Sequence, residues 1–274
     1  MTQKVYDHPA ICGAYFFPLP SGPLPEAEGA RVITLEAPDR PAVGGYFSSP
    51  LASAPTLLYF HGNGECIGDQ LGHWPTWARH AGLNIFFVDY PGYATSLGSP
   101  SLSSCREAAW RAFAFLMEQP KERVPSLLIG GRSVGSIFAL DVASRASADA
   151  RTAGRFRGLM LESGVADLQQ RLDLRFASYA AAGVDEALLR AQVAEDFDHR
   201  KKVRSLDGPL LVLHTSGDSL VPAWHGEKLA EWAEEAGGLH RLVLFDDGDH
   251  NSIQMINAAA YQRELAGFVE AIAS

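Results

Sequence analysis

Short apolar runs alternate with longer amphipathic stretches from residue 55 to the end of the chain. Each run is apolar at successive positions and is too short to form a helix. This pattern is typical of strands that crossover helices bury on both faces. We therefore predict six strands, at 56–60, 84–90, 126–131, 158–163, 209–215 and 240–246.

The stretches between these runs have helical periodicity. Within 106–118, for example, Ala109, Phe113, Leu116 and Met117 fall on one face. Further helices are predicted at 136–146, 227–236 and 260–273. Regular alternation of strands and helices implies a parallel sheet with right-handed crossovers. The predicted fold class is therefore α/β, with a mostly parallel central sheet and helices on both faces.

Two segments depart from this alternation. Near the N-terminus, apolar stretches at 31–37 and 42–48 flank a short turn, and they predict an antiparallel edge of the sheet. Between 164 and 208, two stretches of helical character form an insert, which is either a small helical lid over the carboxyl edge of the sheet or an elaborated crossover. Prolines near the start of the chain are expected to break any helix there; they are Pro9, Pro18 and Pro20.

The composition narrows the class of protein. A length of 274 residues and a hydrophobic fraction of 47% favour one domain, spanning 1–274, with the insert inside it. The net charge of −9, without a basic stripe, argues against nucleic acid and anionic membranes as partners. No apolar run is long enough to span a membrane, and the N-terminus lacks the pattern of a signal peptide. We expect a soluble, cytoplasmic protein.

Residues 131–135 form a G-x-S-x-G motif around Ser133, with an apolar strand before it and an amphipathic helix after it. A strand that runs straight into a helix needs a sharp turn, and the positions beside the turn must lack side chains. Glycine meets that need at both positions. The Ser133 side chain should then project above the sheet at the N-terminus of a helix, where the dipole favours negative charge. Alone, the motif could be a glycine-rich turn with a capping serine.

A serine nucleophile needs a base and a group that orients the base. Open parallel sheets build their sites at the carboxyl edge, in the loops that follow the strands. Asp218 lies in the turn after 209–215, and His250 lies in the turn after 240–246. Ser133, Asp218 and His250 thus occur in the chain order expected of this fold. We predict that they are the catalytic nucleophile, acid and base.

An acyl transfer also needs donors for the oxyanion of its tetrahedral intermediate. One predicted donor is the backbone N–H of Val134, directly after the nucleophile. The other is the N–H of Asn63, in a glycine-rich loop after 56–60, with Gly64 as the second choice. His61 is expected to hydrogen-bond within that loop.

Metal and cofactor chemistry are not expected. The acidic turn around His250 could suggest a cation site, but ligands so close in sequence rarely close a site without contributions from elsewhere. The three cysteines, Cys12, Cys66 and Cys105, have neither CxxC spacing nor an even count, so they predict no metal motif and no disulfide framework.

Several segments in the range 55–255 resemble the landmark motifs of α/β-hydrolases: LLYFHGNGE, FFVDYPGYATSLGSPS, LLIGGRSVGS, LMLESG, LLVLHTSGDSLVP and DGDHN. The chain is similar to small esterases, thioesterases, lysophospholipase-like proteins and serine aminopeptidase relatives. The resemblance implies hydrolysis of a small-molecule ester, thioester or amide through an acyl-enzyme, without a cofactor. The chain departs from the family pattern in two places, since HGNG replaces HGGG and Ala94 stands where glycine is common.

Carboxylic ester hydrolysis is the first expectation, with thioesterase and peptidase activities as variants of it. The alternative is a catalytically inactive binding or scaffold protein with the same fold, because fold alone does not imply activity.

Overall fold

Eight strands form one sheet in the computed structural model, which describes residues 3–152 and 154–273. The strands are β1 (Ala30–Ala37), β2 (Arg40–Ser48), β3 (Thr56–Phe60), β4 (Asn84–Val88), β5 (Leu127–Arg132), β6 (Phe156–Glu162), β7 (Leu210–Thr215) and β8 (His240–Phe245). Their order across the sheet is β1-β2-β4-β3-β5-β6-β7-β8. The pairs β1–β2 and β2–β4 are antiparallel, and the remaining neighbours are parallel. The predicted α/β class with an antiparallel N-terminal edge is confirmed.

Helices cover both faces of this sheet in the described part of the chain. They are α1 (Pro9–Tyr15), α2 (Ile67–Gln70), α3 (Trp74–His80), α4 (Leu102–Glu118), α5 (Val134–Ala148), α6 (Leu168–Asp173), α7 (Phe176–Ala181), α8 (Glu186–Asp196), α9 (His199–Arg204), α10 (Trp224–Glu235), α11 (Ile253–Ile256) and α12 (Ala258–Ala273). Helix α4 begins earlier than predicted because Ser101 caps it, and its hydroxyl accepts the N–H of Ser104 at 3.1 Å.

The continuous apolar strands are explained by two separate cores. Along β3, Leu58 and Phe60 belong to the core that α4 and α5 cover, whereas Leu57 and Tyr59 belong to the core beneath α3 and α12. Successive side chains of a strand point to opposite faces, so a strand buried on both faces is apolar at every position. Trp74 is buried in the second core, where its ring centroid lies 4.6 Å from that of Tyr59.

The insert at 164–208 is helical and consists of α6 to α9. Two buried histidines fix the backbone at its start. The ring Nδ1 of His199 lies 2.8 Å from the carbonyl oxygen of Val165. The next residue, Ala166, donates its N–H to Nδ1 of His225 at 3.2 Å. The start of the insert is thereby attached to α9 and α10.

The expectation that prolines exclude a helix near the N-terminus is wrong for Pro9. This residue begins α1, at the position where a missing N–H costs nothing and where the fixed φ of proline suits a helix. His8 caps the helix, since its Nδ1 accepts the N–H of Ala10 at 3.2 Å. Among the described residues, no helix is both long and apolar enough to cross a membrane.

Because two histidines are buried, we predict that the protein becomes less stable as the pH is lowered. Burial lowers the pKa of His199 and of His225 to about 4. Histidine in an unfolded chain has a pKa of about 6.5, so below that pH the unfolded state binds protons that the folded state cannot. The free energy of unfolding should therefore decrease as the pH is lowered from 6.5 to 4, by up to about 3 kcal/mol for each histidine.

Urea unfolding at several pH values checks this prediction. His199→Gln should flatten the dependence of the unfolding free energy on pH in this window. The matched control is His240→Gln, since His240 is exposed and should leave the slope as it is. A slope that His199→Gln does not change would contradict the prediction.

Candidate active site

Ser133 occupies the turn between β5 and α5. Its φ is +53° and its ψ is −121°, a conformation that residues with a Cβ rarely adopt. Its backbone N–H donates to the carbonyl oxygen of Glu162 at 2.9 Å, and its own carbonyl accepts the hydroxyl of Ser136 at 2.5 Å. The sharp turn expected from the sequence is thus present, and hydrogen bonds fix both the N–H and the carbonyl of Ser133.

The glycines beside Ser133 are required by close backbone approaches. A Cβ added to Gly131 would lie 2.6 Å from the carbonyl carbon of Gly135, and one added to Gly135 would lie 2.6 Å from the carbonyl oxygen of His61. Because the obstructing atoms belong to the backbone, they cannot move aside as a flexible side chain could. A turn this tight between strand β5 and helix α5 therefore requires glycine at positions 131 and 135.

The three predicted catalytic side chains form one hydrogen-bonded chain. Nε2 of His250 lies 2.9 Å from Oγ of Ser133, and Nδ1 of His250 lies 2.7 Å from Oδ2 of Asp218. Asp218 follows β7 and His250 follows β8, so both loops lie at the carboxyl edge of the sheet. A carboxylate only accepts hydrogen bonds, which places the proton of a neutral His250 on Nδ1 and leaves Nε2 free to accept the serine proton.

Asp218 is held in its ionised form. Its Oδ1 accepts the backbone N–H groups of Leu220 and Val221, at 3.0 and 2.7 Å. Burial favours the neutral carboxyl, but His214, His250 and the Val221 N–H outweigh it and hold the pKa of Asp218 well below its usual range. Asp218 can therefore stabilise a positive charge on the neighbouring imidazole.

His214 is a second histidine beside Asp218 that the sequence analysis missed. Its Nε2 lies 2.8 Å from the carbonyl oxygen of Val221 and 3.4 Å from Oδ2 of Asp218. His214 lies inside the apolar run of β7 and is fully buried. Its place within a buried strand gave no sign of a role in the site.

One predicted oxyanion donor, Val134, begins a helix, and the other, Asn63, lies in the loop after β3. Val134 is the first residue of α5, so no carbonyl of the helix can accept its N–H. The side chain of Asn63 makes three hydrogen bonds: Nδ2 donates to the carbonyl of Tyr15 at 2.5 Å, and Oδ1 accepts the N–H of Phe17 at 2.9 Å and the hydroxyl of Tyr93 at 2.8 Å. The backbone N–H of Asn63, the group that the sequence analysis named, donates to no other group within the described part of the chain.

The N-terminal segment, residues 4–21, gave no functional signal in the sequence. It links the helical insert to the loop that carries Asn63. At one end, the Tyr6 hydroxyl donates to Asp196 of α8 at 2.9 Å and the Val5 N–H donates to Gln192 at 2.6 Å. At the other end, the segment holds Asn63 through the backbone groups described above. The loop that carries Asn63 is therefore tied to the helical insert.

His61 is buried, and its imidazole contacts its own loop and the end of the neighbouring strand. Its Nδ1 lies 2.8 Å from the carbonyl oxygen of Gly62, and its Nε2 lies 3.3 Å from Oδ1 of Asp89. Burial opposes protonation, but Asp89 raises the pKa of this imidazole above its ordinary value. Within the described residues, no group of three or more His, Cys, Asp or Glu side chains is arranged to hold a metal ion.

Charged side chains buried beneath the site were also missed. Arg132 precedes Ser133, and its guanidinium pairs with Glu65 and with Glu162. Exposed fractions are 7% for Arg132, 21% for Glu65 and 0% for Glu162. The sequence showed a charged residue inside the motif but not the distant carboxylates that it contacts.

Comparison with known proteins gives a family and a fold. Residues 124–274, just over half of the chain, match the model of the prolyl oligopeptidase family. The chain is 25% identical over 258 residues to the protein YfhR of Escherichia coli, a match that covers 89% of this chain and 82% of YfhR. The expectation of an α/β-hydrolase is confirmed, although the sequence analysis did not name this family.

Two solved structures share the fold at low sequence identity. The esterase Pf2001 of Pyrococcus furiosus superposes with a TM-score of 0.69 at 14% identity, covering 93% of this chain and 97% of the esterase. An α/β-hydrolase of Vibrio vulnificus gives a TM-score of 0.66 at 21% identity, covering 87% of this chain and 81% of that chain.

The close approach at Gly135 predicts a large loss of stability for Gly135→Ala. The added methyl group would press on the carbonyl oxygens of Phe60 and His61, and we expect the unfolding free energy to fall by more than about 2 kcal/mol. Thermal unfolding measures this. Gly267→Ala on α12 is the control, because its Cβ would meet nothing within 4 Å and alanine favours a helix. Equal stability of the two variants would contradict the packing described.

Proposed function

We propose that this chain, which belongs to the prolyl oligopeptidase family of the α/β-hydrolase superfamily, is a serine hydrolase with Ser133 as its nucleophile. One observation carries the proposal: the hydrogen-bonded chain from Asp218 through His250 to Ser133, with distances of 2.7 and 2.9 Å. This arrangement supplies a nucleophile, a base and a group that orients the base. The reaction is the cleavage of an ester, thioester or amide.

The first half of the reaction forms an acyl-enzyme. Oγ of Ser133 attacks the substrate carbonyl carbon while Nε2 of His250 takes the hydroxyl proton. The tetrahedral intermediate then collapses, the bond to the leaving group breaks, and His250 gives its proton to that group. Asp218 remains ionised and stabilises the imidazolium that forms between the two steps, in agreement with its lowered pKa.

The second half of the reaction repeats these steps with water. His250 removes a proton from the water that attacks the acyl carbon, and the proton returns to Oγ of Ser133 as the acid product leaves. In both halves the negative charge on the carbonyl oxygen needs donors. The proposed donors are the backbone N–H groups of Val134 and Asn63, and loss of one such donor typically costs roughly 100- to 1,000-fold in kcat.

Small-molecule carboxylic esters are the proposed substrate class, with thioesters and amides as alternatives. Apart from the substrate and water, the groups that this mechanism uses come from the chain itself, so the proposal includes no metal and no cofactor. The fold shared with the esterase Pf2001 is compatible with this choice, and the family match to the prolyl oligopeptidases keeps amides among the candidates.

Ser133→Ala should abolish the hydrolysis of p-nitrophenyl esters while the fold is retained, because alanine supplies no nucleophile. The measurement is the initial rate with short- and long-chain esters, together with circular dichroism to verify folding. Ser144→Ala is the matched control, since Ser144 lies on α5 and contacts Ser205 at the surface. Turnover by Ser133→Ala at the wild-type rate would contradict the proposal.

Asn63→Ala should lower kcat about 10-fold or more with little change in KM. The substitution keeps the proposed oxyanion donor, a backbone N–H, but removes the side chain that fixes the loop. Asn84→Ala is the matched control: the Asn84 amide also bonds backbone groups, those of Leu51, but at the amino end of β4. Unchanged kcat in Asn63→Ala would show that this side chain does not support catalysis.

A further inference from the structure

The side chain of Arg132 makes contacts in three directions. Its Nη1 pairs with Oε1 of Glu65, and its Nε donates to Oε1 of Glu162 at 3.0 Å. Its Nη2 donates to the backbone carbonyl of His250 at 2.6 Å. Arg132 also directly precedes Ser133 in the chain. One guanidinium thus touches three segments that are distant in sequence, and it lies next to the predicted nucleophile.

The contact with Glu65 leads to the loop that carries Asn63. Oε2 of Glu65 accepts the backbone N–H of Gly62 at 2.8 Å and the side-chain amide of Gln70 at 3.1 Å. The approach is close, since a Cβ on Gly62 would lie 2.6 Å from Nη1 of Arg132. The position of this loop therefore depends on the pair formed by Arg132 and Glu65.

The contact with Glu162 fixes the position of the guanidinium. The Glu162 side chain is fully buried at the end of β6, where its Oε2 accepts the hydroxyl of Tyr261 at 2.7 Å and the amide of Gln254 at 2.6 Å. The backbone carbonyl of the same residue accepts the N–H of Ser133 at 2.9 Å. Glu162 thus holds both Arg132, through its side chain, and Ser133, through its backbone.

The contact with His250 acts on the backbone of the proposed base. Because Nη2 of Arg132 donates to the carbonyl of His250, it fixes the turn after β8 at the residue that carries the imidazole. Burial alone would lower the pKa of Arg132, but Glu65 and Glu162 raise it above its ordinary value. The guanidinium of Arg132 therefore stays charged.

We propose that Arg132 is a positioning residue, which sets the distances between the loop of Asn63, the nucleophile Ser133 and the base His250. This inference rests on the proposed function. Acyl transfer requires these groups to be placed within a fraction of an ångström, and a misplacement of about 1 Å can cost roughly 100-fold in rate. Arg132 acts through Glu65, Glu162 and the carbonyl of His250, since these contacts occupy its guanidinium.

Arg132→Lys is the most direct test. Lysine keeps one positive charge beside Glu162, but an ammonium lacks the planar fork needed to hold three partners in fixed directions. We expect kcat for a p-nitrophenyl ester to fall roughly 10- to 100-fold, with KM nearly unchanged. Arg155→Lys is the matched control, because Arg155 is also buried but donates to the carbonyls of Met117 and Val124, away from the site.

The rate must be expressed per active site, counted by titration with a fluorophosphonate. A merely structural role for Arg132 would reduce the number of sites that titrate but leave kcat per site unchanged. If Arg132→Lys yields too little folded protein, Glu65→Gln replaces it, since the glutamine side chain would keep an acceptor for the Gly62 N–H and lose only the ion pair. We expect a lower kcat per site in that variant too.

A second experiment uses chemical rescue. Arg132→Ala leaves space for a free guanidinium ion, and added guanidinium at a non-denaturing concentration should restore part of kcat, whereas sodium should not. The positioning role would be overturned if Arg132→Lys keeps the wild-type kcat per site, or if Glu65→Gln does so where it replaces that variant. The proposed function would not be affected by this result. Absence of Ser133-dependent turnover in the wild-type protein would overturn the proposed function and this inference with it, so the two failures can be distinguished.

Discussion

The turn at Ser133 is the constraint on which the rest of the site depends. A strand and a helix meet there without a loop, and Ser133 takes a φ of +53° that costs energy for any residue with a Cβ. The conformation persists because Gly131 and Gly135 allow the backbone segments to touch and because Glu162 accepts the Ser133 N–H. Arg132 directly precedes this turn and is buried, whereas Ser133 is half-buried.

The parts of the fold and site that the sequence predicted are those encoded locally. Strands buried on both faces appear as continuous apolar runs, which is why the prediction of β3 at 56–60 agrees with the structure. The candidate triad was recognisable because each member lies directly after its own strand, and parallel strands bring their carboxyl ends to one edge of the sheet. Their hydrogen-bonded arrangement in the structure follows from that topology.

The features that the sequence did not predict depend on contacts between distant residues. The partners of Arg132 are 67 and 30 positions away at Glu65 and Glu162, and no pattern near the motif indicates them. The Asn63 side chain is held by backbone groups of the N-terminal segment, which carry no residue-specific signal. Helix α1 is absent from the sequence prediction because proline breaks most helices, whereas Pro9 occupies the first turn, where proline favours a helix.

In the proposed mechanism, substrate hydrolysis passes through an acyl group on Ser133. The decisive experiment is rapid quenching of the reaction with a p-nitrophenyl ester, followed by peptide mass spectrometry. We expect a burst of p-nitrophenol and a mass increase of one acyl group in the peptide that contains Ser133. Steady hydrolysis with the acyl group on another residue, or with no acylated peptide under conditions that show a burst, would contradict it.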